Sequence, residues 1–268
     1  MTKVISYKNP ELTTVKDNKA VWNLPKTRRY GYRNLHKINR YGLFLRSDLV
    51  LKLKKKYKDT IYKKPLVKKM TKHKSFCSLI VGNKQNIYFE KYAKDFTENQ
   101  PQTIMSITKM FVNLFVGELL NNKSINLDKK VSYYLPKIGS GYANAKVQDV
   151  LNMNVINAYT EDYTKAYSSS FLHEPVGGWR LPKNSDKHSS QEDYLNTIKS
   201  KKNRNLKNKS NLAFYKSANT DVIGLIVEKI SGKPLRHWML RAVEAAGFEE
   251  GIYIASDRYG MPWMSGGG

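Results

Sequence analysis

A single cysteine, Cys77, stands among the 268 residues. That excludes an internal disulfide and a cysteine-built metal cage, and leaves Cys77 to be read as a small, inert hydrophobe at the start of a strand. The five histidines, His36, His73, His173, His188 and His237, never fall at His-x-x-x-His or His-Glu-x-x-His spacing. The usual helical zinc site is thereby removed, and Ser-His catalysis has no signature here; each histidine reads as structural or exposed. Nowhere are there about 18 consecutive apolar residues, and the opening MTKVISYKNPELTTVKDNKA lacks the apolar core of a secretory signal. The expected location is cytoplasmic.

Acidic residues are scarce as well, 22 against 47 Lys or Arg, for a formal charge of +25. The imbalance is uneven: the first 75 residues hold 22 Lys or Arg and 4 Asp or Glu, a net of +18. A block such as Lys52-Leu53-Lys54-Lys55-Lys56 reads either as a solvated basic face or as a surface for nucleic acid or an anionic membrane. No zinc-finger spacing, RNP-like aromatic pair or basic region followed by heptads accompanies it, which weakens the nucleic-acid reading.

What is present in quantity is apolar material, 40% of the residues, with 12% aromatic. A chain of this length and composition buries a core as one large or two small domains. VWNLPKTRRYGYRNL reads as a loop anchored by Trp22, and DLVLKLKKKYKD as a short helix or strand. Ser78 to Val81 and Ile87 to Tyr92 are β-rich runs split by the polar turn Gly82-Asn83-Lys84-Gln85-Asn86, a hairpin signal. From Ile107, the residues Met110, Phe111, Leu114, Phe115 and Leu119 recur at helical spacing, with Val112 and Val116 on the flank. The pattern predicts a nearly all-apolar, central helix that stops at Asn121-Asn122. Val147 to Met153 predicts another helix, and Asn154 to Asn211 a long polar excursion of the kind that carries function or disorder. Asn219-Thr220-Asp221 reads as a cap before the apolar run from Val222 to Ile230, with Gly232 and Pro234 as the stop. The closing Trp-Met-Ser-Gly-Gly-Gly reads as a mere stop. There is no internal repeat.

At the head of the most apolar helix lies Ser106-Ile107-Thr108-Lys109. A serine hydroxyl must pass its proton to a base as it attacks, and a lysine one helical turn on shares its face. The helix N-terminus adds a positive potential that favours an oxyanion. In a lysine-rich chain such a pairing also arises by chance, yet of all the serines only Ser106 has a lysine at the fourth place. On these residues alone the two readings stay level. Tyr215, in FYKSANTD about a hundred residues on, could by itself be a core tyrosine with a satisfied hydroxyl.

MSITK, SINLDKKVSYYLP, VQDVLNM and FYKSANTDVIGLIVEKISGKPL, in this order and spacing, resemble the serine β-lactamase-related superfamily, nearest its class C and DD-peptidase branch. EDYTKAYSS followed by GGWR, and Tyr-x-Ser where the lactamases have Tyr-x-Asn, are most similar to the 6-aminohexanoate-dimer hydrolases, which are amidases and carboxylesterases of that fold. The resemblance runs from about Leu79 to Gly268. It implies a mixed α+β fold, with an antiparallel sheet flanked by helices and a central helix bearing the nucleophile. It implies that Ser106 is acylated, that Lys109 accepts its proton and that Tyr215 shuttles a proton to or from the leaving group. Ser217 would line the pocket and Tyr163 would touch substrate, with Tyr159 and Tyr167 close enough in sequence to confuse that register. The substrate implied is a small amide or ester, with a β-lactam or a D-alanyl peptide less in keeping with a cytoplasmic location; no metal and no organic cofactor are called for.

Two departures qualify this. The family's third motif, Lys-Thr-Gly or a His-x-Gly-like variant on a late strand, supplies half of the oxyanion hole and follows a Gly-Gly that resembles Gly266-Gly267. Losing one such donor costs about 10²–10³ in rate. The expectation is therefore a basic N-terminal extension over 1–74, and a hydrolase domain over 75–268 truncated at its C-terminus with an incomplete sheet. The rival expectation is an inactive homologue, or a basic binding protein engaging nucleic acid or an anionic surface. The second departure is Leu151-Asn152-Met153-Asn154-Val155, where the family turns on Ser-Gly or Thr-Gly after the methionine.

Overall fold

The computed structural model describes residues 22–165, 167–180, 190–201 and 212–268. Trp22 is buried, its ring 4.3 Å from that of Trp179 in an edge contact and stacked on Tyr32. It is the expected anchor, but the segment it anchors is helical: α1 (Arg28–Arg33) and α2 (Leu35–Ile38) replace the predicted loop. Gly31 explains the local packing. A Cβ there would fall 2.2 Å from the Trp22 backbone, so only glycine lets α1 close on the tryptophan.

Two small sheets follow. β1 (Gly42–Leu45) pairs antiparallel with a late strand, β5, described below, with Gly42 opposite Ala255. β2 (Lys54–Lys55) leads into α3 (Asp59–Lys63) and α4 (Pro65–Lys72), so the DLVLKLKKKYKD stretch contributes a strand and then the start of a helix. β3 (Ser78–Gly82) and β4 (Asn86–Tyr92) form the predicted hairpin, with Val81 opposite Phe89 and a register shift at Gly82. β2 lies parallel to β4, giving the order β2-β4-β3. Residues 42–55 thus supply a strand to each sheet.

A 3₁₀ turn, Met105–Thr108, opens α5 (Lys109–Asn121). Then come α6 (Val131–Tyr134), α7 (Ser140–Ala143), α8 (Val147–Leu151), α9 (Ser169–His173) and α10 (Gln191–Asn196). The long excursion therefore contains at least two short helices; residue 166 and the spans 181–189, which includes His188, and 202–211 lie outside the described residues. α11 (Ser217–Ser231), α12 (Leu235–Ala246) and β5 (Ile252–Ala255) complete the element order.

α11 is buried on every face from Ser217 to Val227. Its Val222, Ile223 and Ile226 pack in one core with Val112, Phe115, Val116 and Leu119 of α5 and with Leu235, Trp238 and Met239 of α12. Each such side chain contributes about 1.5–3 kcal/mol on burial, which outweighs the modest helix propensity of the β-branched residues. α5 buries that one face, while Met110 and Leu114 are more than 60% exposed. Gly232 adopts φ 61° and donates its N–H to the Glu228 carbonyl at 2.9 Å, ending α11 where the Gly and Pro signals placed its end.

Two expectations are corrected. Asn219, Thr220 and Asp221 do not cap α11; the helix starts at Ser217, and Asn219 faces inward, accepting from the Tyr142 hydroxyl at 2.7 Å and donating to the Val150 carbonyl. Nor are residues 263–268 a mere stop. Trp263 packs edge-on against Trp179 and His173, Gly267 accepts from Ala255 N–H at 2.8 Å, and the Gly268 carbonyl accepts from Ile104 N–H at 3.0 Å. Among the described residues, no helix is long and apolar enough to cross a membrane.

Candidate active site

Ser106 lies in the 3₁₀ turn ahead of α5, where backbone N–H groups have no helical acceptor behind them. Met105, just before it, has φ 49°, a left-handed conformation uncommon outside glycine and costing on the order of 1–3 kcal/mol. The surroundings hold it there. Met105 N–H donates to the Gly268 carbonyl at 3.2 Å, Thr108 Oγ1 donates to the Met105 carbonyl at 2.6 Å, and Gly268 N–H donates back to Thr108 Oγ1 at 3.1 Å. The turn leaves Ser106 exposed and Thr108 fully buried.

Two donors converge on the Ser106 hydroxyl oxygen. Lys109 Nζ donates at 3.0 Å and Tyr215 OH at 2.7 Å, although Tyr215 is 109 positions away. Lys109 Nζ also stands 4.9 Å from the centre of the Tyr215 ring. Tyr215 is carried by the chain entering α11, and Phe214 N–H is bonded to the Met153 carbonyl at 2.7 Å. Met153 itself takes φ 53° at the end of the α8 turn. The residue that docks the Tyr215 segment thus immediately precedes Asn154-Val155, where the resemblance departs from its pattern.

Lys109 has two further acceptors: Ser217 Oγ at 3.4 Å and, in a short contact, the Ser265 carbonyl. Ser217, in the first turn of α11, is 5% exposed and is fixed by Glu161, whose carboxylate accepts from Ser217 N–H at 2.8 Å and from Ser217 Oγ at 2.7 Å. Of the three tyrosines that share the uncertain register, Tyr163 reaches this cluster. Its hydroxyl lies 3.3 Å from Ser217 Oγ and donates to Glu161 in a short contact. Partial burial, and then Glu161, push the Tyr163 phenol up, keeping it a neutral donor. Tyr159 instead turns into the core, and Tyr167 is 74% exposed. All five residues singled out from the sequence, Ser106, Lys109, Tyr163, Tyr215 and Ser217, therefore meet in one place.

Three participants, and one buried neighbour of the site, were not found from the sequence. Glu161 could have been suspected only from standing two residues before Tyr163. The Ser265 carbonyl, a backbone group, leaves no sequence signal. Lys216 is 8% exposed, donates to the Tyr159 carbonyl at 2.6 Å, and is brought down to about 8 by burial first, then by Lys201. The fourth is Asp221, wholly buried in α11, whose Oδ1 accepts from Ser265 N–H at 3.1 Å. Asp221 and the Ser265 backbone thus form a two-link chain behind the Lys109 side-chain nitrogen.

Among the described residues the other carboxylate oxygen of Asp221 has no hydrogen-bond partner, and it faces the equally unpartnered His173 Nε2 at 3.9 Å. Burial pushes Asp221 up to about 7, against an opposing pull from Lys109, and the same burial holds His173 down to about 3. The stability consequences have opposite signs. Between about pH 4 and 7 the unfolded Asp221 is ionised while the folded one keeps its proton, so its contribution falls as pH rises. Between about pH 6.5 and 3 the unfolded His173 gains a proton that the folded one refuses, so its contribution falls as pH drops. The two nearly cancel from about pH 4 to 6.5. Asp221→Asn removes one arm, and its melting temperature relative to wild type should climb steadily from about pH 4 to 7, by an amount equivalent to a few kcal/mol. Thermal denaturation of both proteins across that range checks it; parallel curves would contradict the assignment.

Among the described residues no group of three or more His, Cys, Asp or Glu is arranged to hold a metal ion. The family model described as Beta-lactamase matches residues 77–250, well over half of the chain. The chain belongs to the beta-lactamase family. The chain is 30% identical over 169 residues to the 6-aminohexanoate-dimer hydrolase of Paenarthrobacter ureafaciens, a match taking in 63% of this chain and 40% of that one. The chain thus aligns with well under half the length of this curated relative. A Bacillus anthracis protein assigned as a 6-aminohexanoate-dimer hydrolase superposes with a TM-score of 0.76 over 95% of this chain and 69% of its own, at 17% identity. At that identity the likeness establishes the fold, the mixed α+β beta-lactamase and transpeptidase architecture expected from the motifs.

Proposed function

We propose that this beta-lactamase-family chain is a serine hydrolase that cleaves small amides or esters through an acyl-enzyme on Ser106. The observation that carries the reading is the convergence of Lys109 Nζ and Tyr215 OH on one hydroxyl oxygen. An oxygen that accepts two hydrogen bonds is electrostatically prepared for the negative charge it develops on attack.

In the proposed sequence Ser106 Oγ bonds to the substrate carbonyl carbon as its proton passes into the Lys109 and Tyr215 pair, with Lys109 reacting as the neutral amine that accepts it. The carbonyl π electrons move onto oxygen, giving a tetrahedral intermediate at the mouth of the 3₁₀ turn. Collapse restores the carbonyl and breaks the bond to the leaving nitrogen or oxygen, which takes a proton from Tyr215. Water then attacks the acyl carbon, gives its proton to the same pair, and releases the acid and Ser106. Lys109 can serve both tasks because Ser265 and Ser217 hold it within reach of Ser106 and beside the Tyr215 ring.

Ser217 and Tyr163 are proposed to line the substrate-binding side, with Glu161 fixing both hydroxyls. Asp221 is proposed as a positioning residue that holds the Ser265 peptide under Lys109. For the substrate, the relative's name points to short ω-amino acid amides such as the linear 6-aminohexanoate dimer. An ester is the chemically easier member of the same class.

Turnover of p-nitrophenyl butyrate and of the linear 6-aminohexanoate dimer by the purified chain tests the reading. Hydrolysis of either above the uncatalysed rate, with an initial burst of nitrophenol stoichiometric with enzyme on the ester, is the expected result. No turnover of either, and no acyl adduct by intact mass, would overturn it.

A further inference from the structure

We propose that β2, α3 and α4 form a docking surface for an anionic lipid bilayer, with their lysines on the headgroups and Leu66 and Met70 at the boundary with the acyl chains. Between Val50 and Lys74 the chain has eleven lysines and one carboxylate, Asp59. Every one of these lysines is exposed. Lys55 is engaged by Glu90 and Glu98, each 3.4 Å away, and Lys58 stands 4.3 Å from the centre of the Tyr88 ring. No carboxylate among the described residues lies within ion-pair distance of Lys63, Lys64, Lys68, Lys69 or Lys72. The structure thus concentrates positive charge on one element group and leaves most of it without a counter-charge.

α4 adds a second, independent feature. None of its residues is buried, and Leu66 and Met70 are 67% and 45% exposed. At 100° per residue these two are neighbours one turn apart, flanked on one side by the partly covered Val67 and Thr71 and on the other by Lys69, with Lys68 and Lys72 farther round. α4 is a basic amphipathic helix only part of whose apolar side meets the protein. It is held in place through α3, where Tyr62 stacks on Phe89 of β4 and accepts from Lys91 Nζ.

The combination selects the partner. A nucleic-acid backbone takes the lysines but offers no apolar phase to Leu66 and Met70. A bilayer rich in anionic lipid offers both, a negative surface for the ammonium groups and an interface into which short apolar side chains dip. One such helix gives weak, reversible association, which suits a catalytic chain held near a surface. The inference is independent of the hydrolase reading, because Ser106 and its partners lie on other elements.

Co-sedimentation of the full chain with phosphatidylcholine vesicles, with and without about 30% phosphatidylserine, tests this. The expected result is at least about tenfold stronger partitioning onto the phosphatidylserine vesicles, lost on going from about 0.1 M to about 0.5 M NaCl. The double variant Leu66→Ser, Met70→Ser keeps every charge and should weaken lipid binding several-fold, while the quadruple Lys63→Glu, Lys64→Glu, Lys68→Glu, Lys69→Glu should abolish it. All these positions are exposed, and an unchanged near-ultraviolet circular dichroism spectrum verifies that each variant is folded. Equal partitioning onto both vesicles overturns the proposal. So does lipid binding indifferent to the serine pair, and so does tight binding of a short DNA duplex with no vesicle binding, which would make this a nucleic-acid surface.

Discussion

Alanine at position 106 is expected to lower kcat/KM for p-nitrophenyl butyrate by about 10⁴-fold or more, because the only oxygen proposed to carry the acyl group is gone. The neighbouring hydroxyl of Ser217 is a poor substitute. It already donates to Glu161 at 2.7 Å, sits 5% exposed in the first turn of α11, and lacks a helix-opening turn of its own aimed at solvent. Lys109→Ala should come close to the same loss, since without the lysine side chain the Ser106 proton has only the Tyr215 side of the pair. The double variant should be hardly worse than either single one, as residues acting in one unit are strongly non-additive. Steady-state rates for the four proteins check this. Ser106 is exposed, so the melting temperature of Ser106→Ala should stay within a degree or two of wild type, separating lost chemistry from lost fold.

Tyr215→Phe is expected to discriminate between substrates. The phenol is 45% exposed and donates to Ser106 Oγ at 2.7 Å, so removing one oxygen leaves the packing unchanged while deleting the proposed proton donor to the leaving group. Amide cleavage expels a strongly basic nitrogen that must be protonated, and its rate should fall by about 10²–10⁴, the usual worth of general acid catalysis. Nitrophenolate departs without a proton, so the ester rate should fall only about tenfold, through the weakened support of the Ser106 oxygen. Measuring kcat/KM for the linear amide and the nitrophenyl ester on one preparation gives the ratio directly. An equal loss on both would assign Tyr215 to positioning Ser106 and not to the leaving group.

The parts of this architecture legible from the chain were those written in local pattern. The β3 and β4 hairpin, the end of α11 at Gly232, and the Ser106 to Lys109 spacing each depend on residues within a few positions of one another. Asp221 was misread because a cap and a buried helical carboxylate have the same neighbours in sequence, NTD before an apolar run; only the burial of α11 on all sides distinguishes them. α1 was missed because Arg28 to Arg33 owes its place to Trp22, Tyr32 and the absence of a side chain on Gly31, and not to periodicity. The apolar content of α5 overstated its burial, as Met110 and Leu114 show. The support behind Lys109 was illegible in principle, being a peptide carbonyl 156 positions away.

Substitutions behind the site sharpen its logic. Glu161 holds Ser217 through two bonds and Tyr163 through a third, so its removal should raise KM more than it lowers kcat. Asp221 acts on Lys109 through the Ser265 peptide, and its loss should lower kcat instead. The distinction follows from which partner each carboxylate fixes, the substrate-facing hydroxyls or the proton acceptor.

The most direct measurement is the site of covalent labelling by a fluorophosphonate. The probe reacts with an activated serine and leaves a phosphonyl group on its oxygen, displacing fluoride. One adduct per folded chain is expected, mapped by peptide mass spectrometry to Ser106, absent in Ser106→Ala and strongly slowed in Lys109→Ala. A folded wild-type chain that takes up no label, or a label that persists in Ser106→Ala, would contradict it.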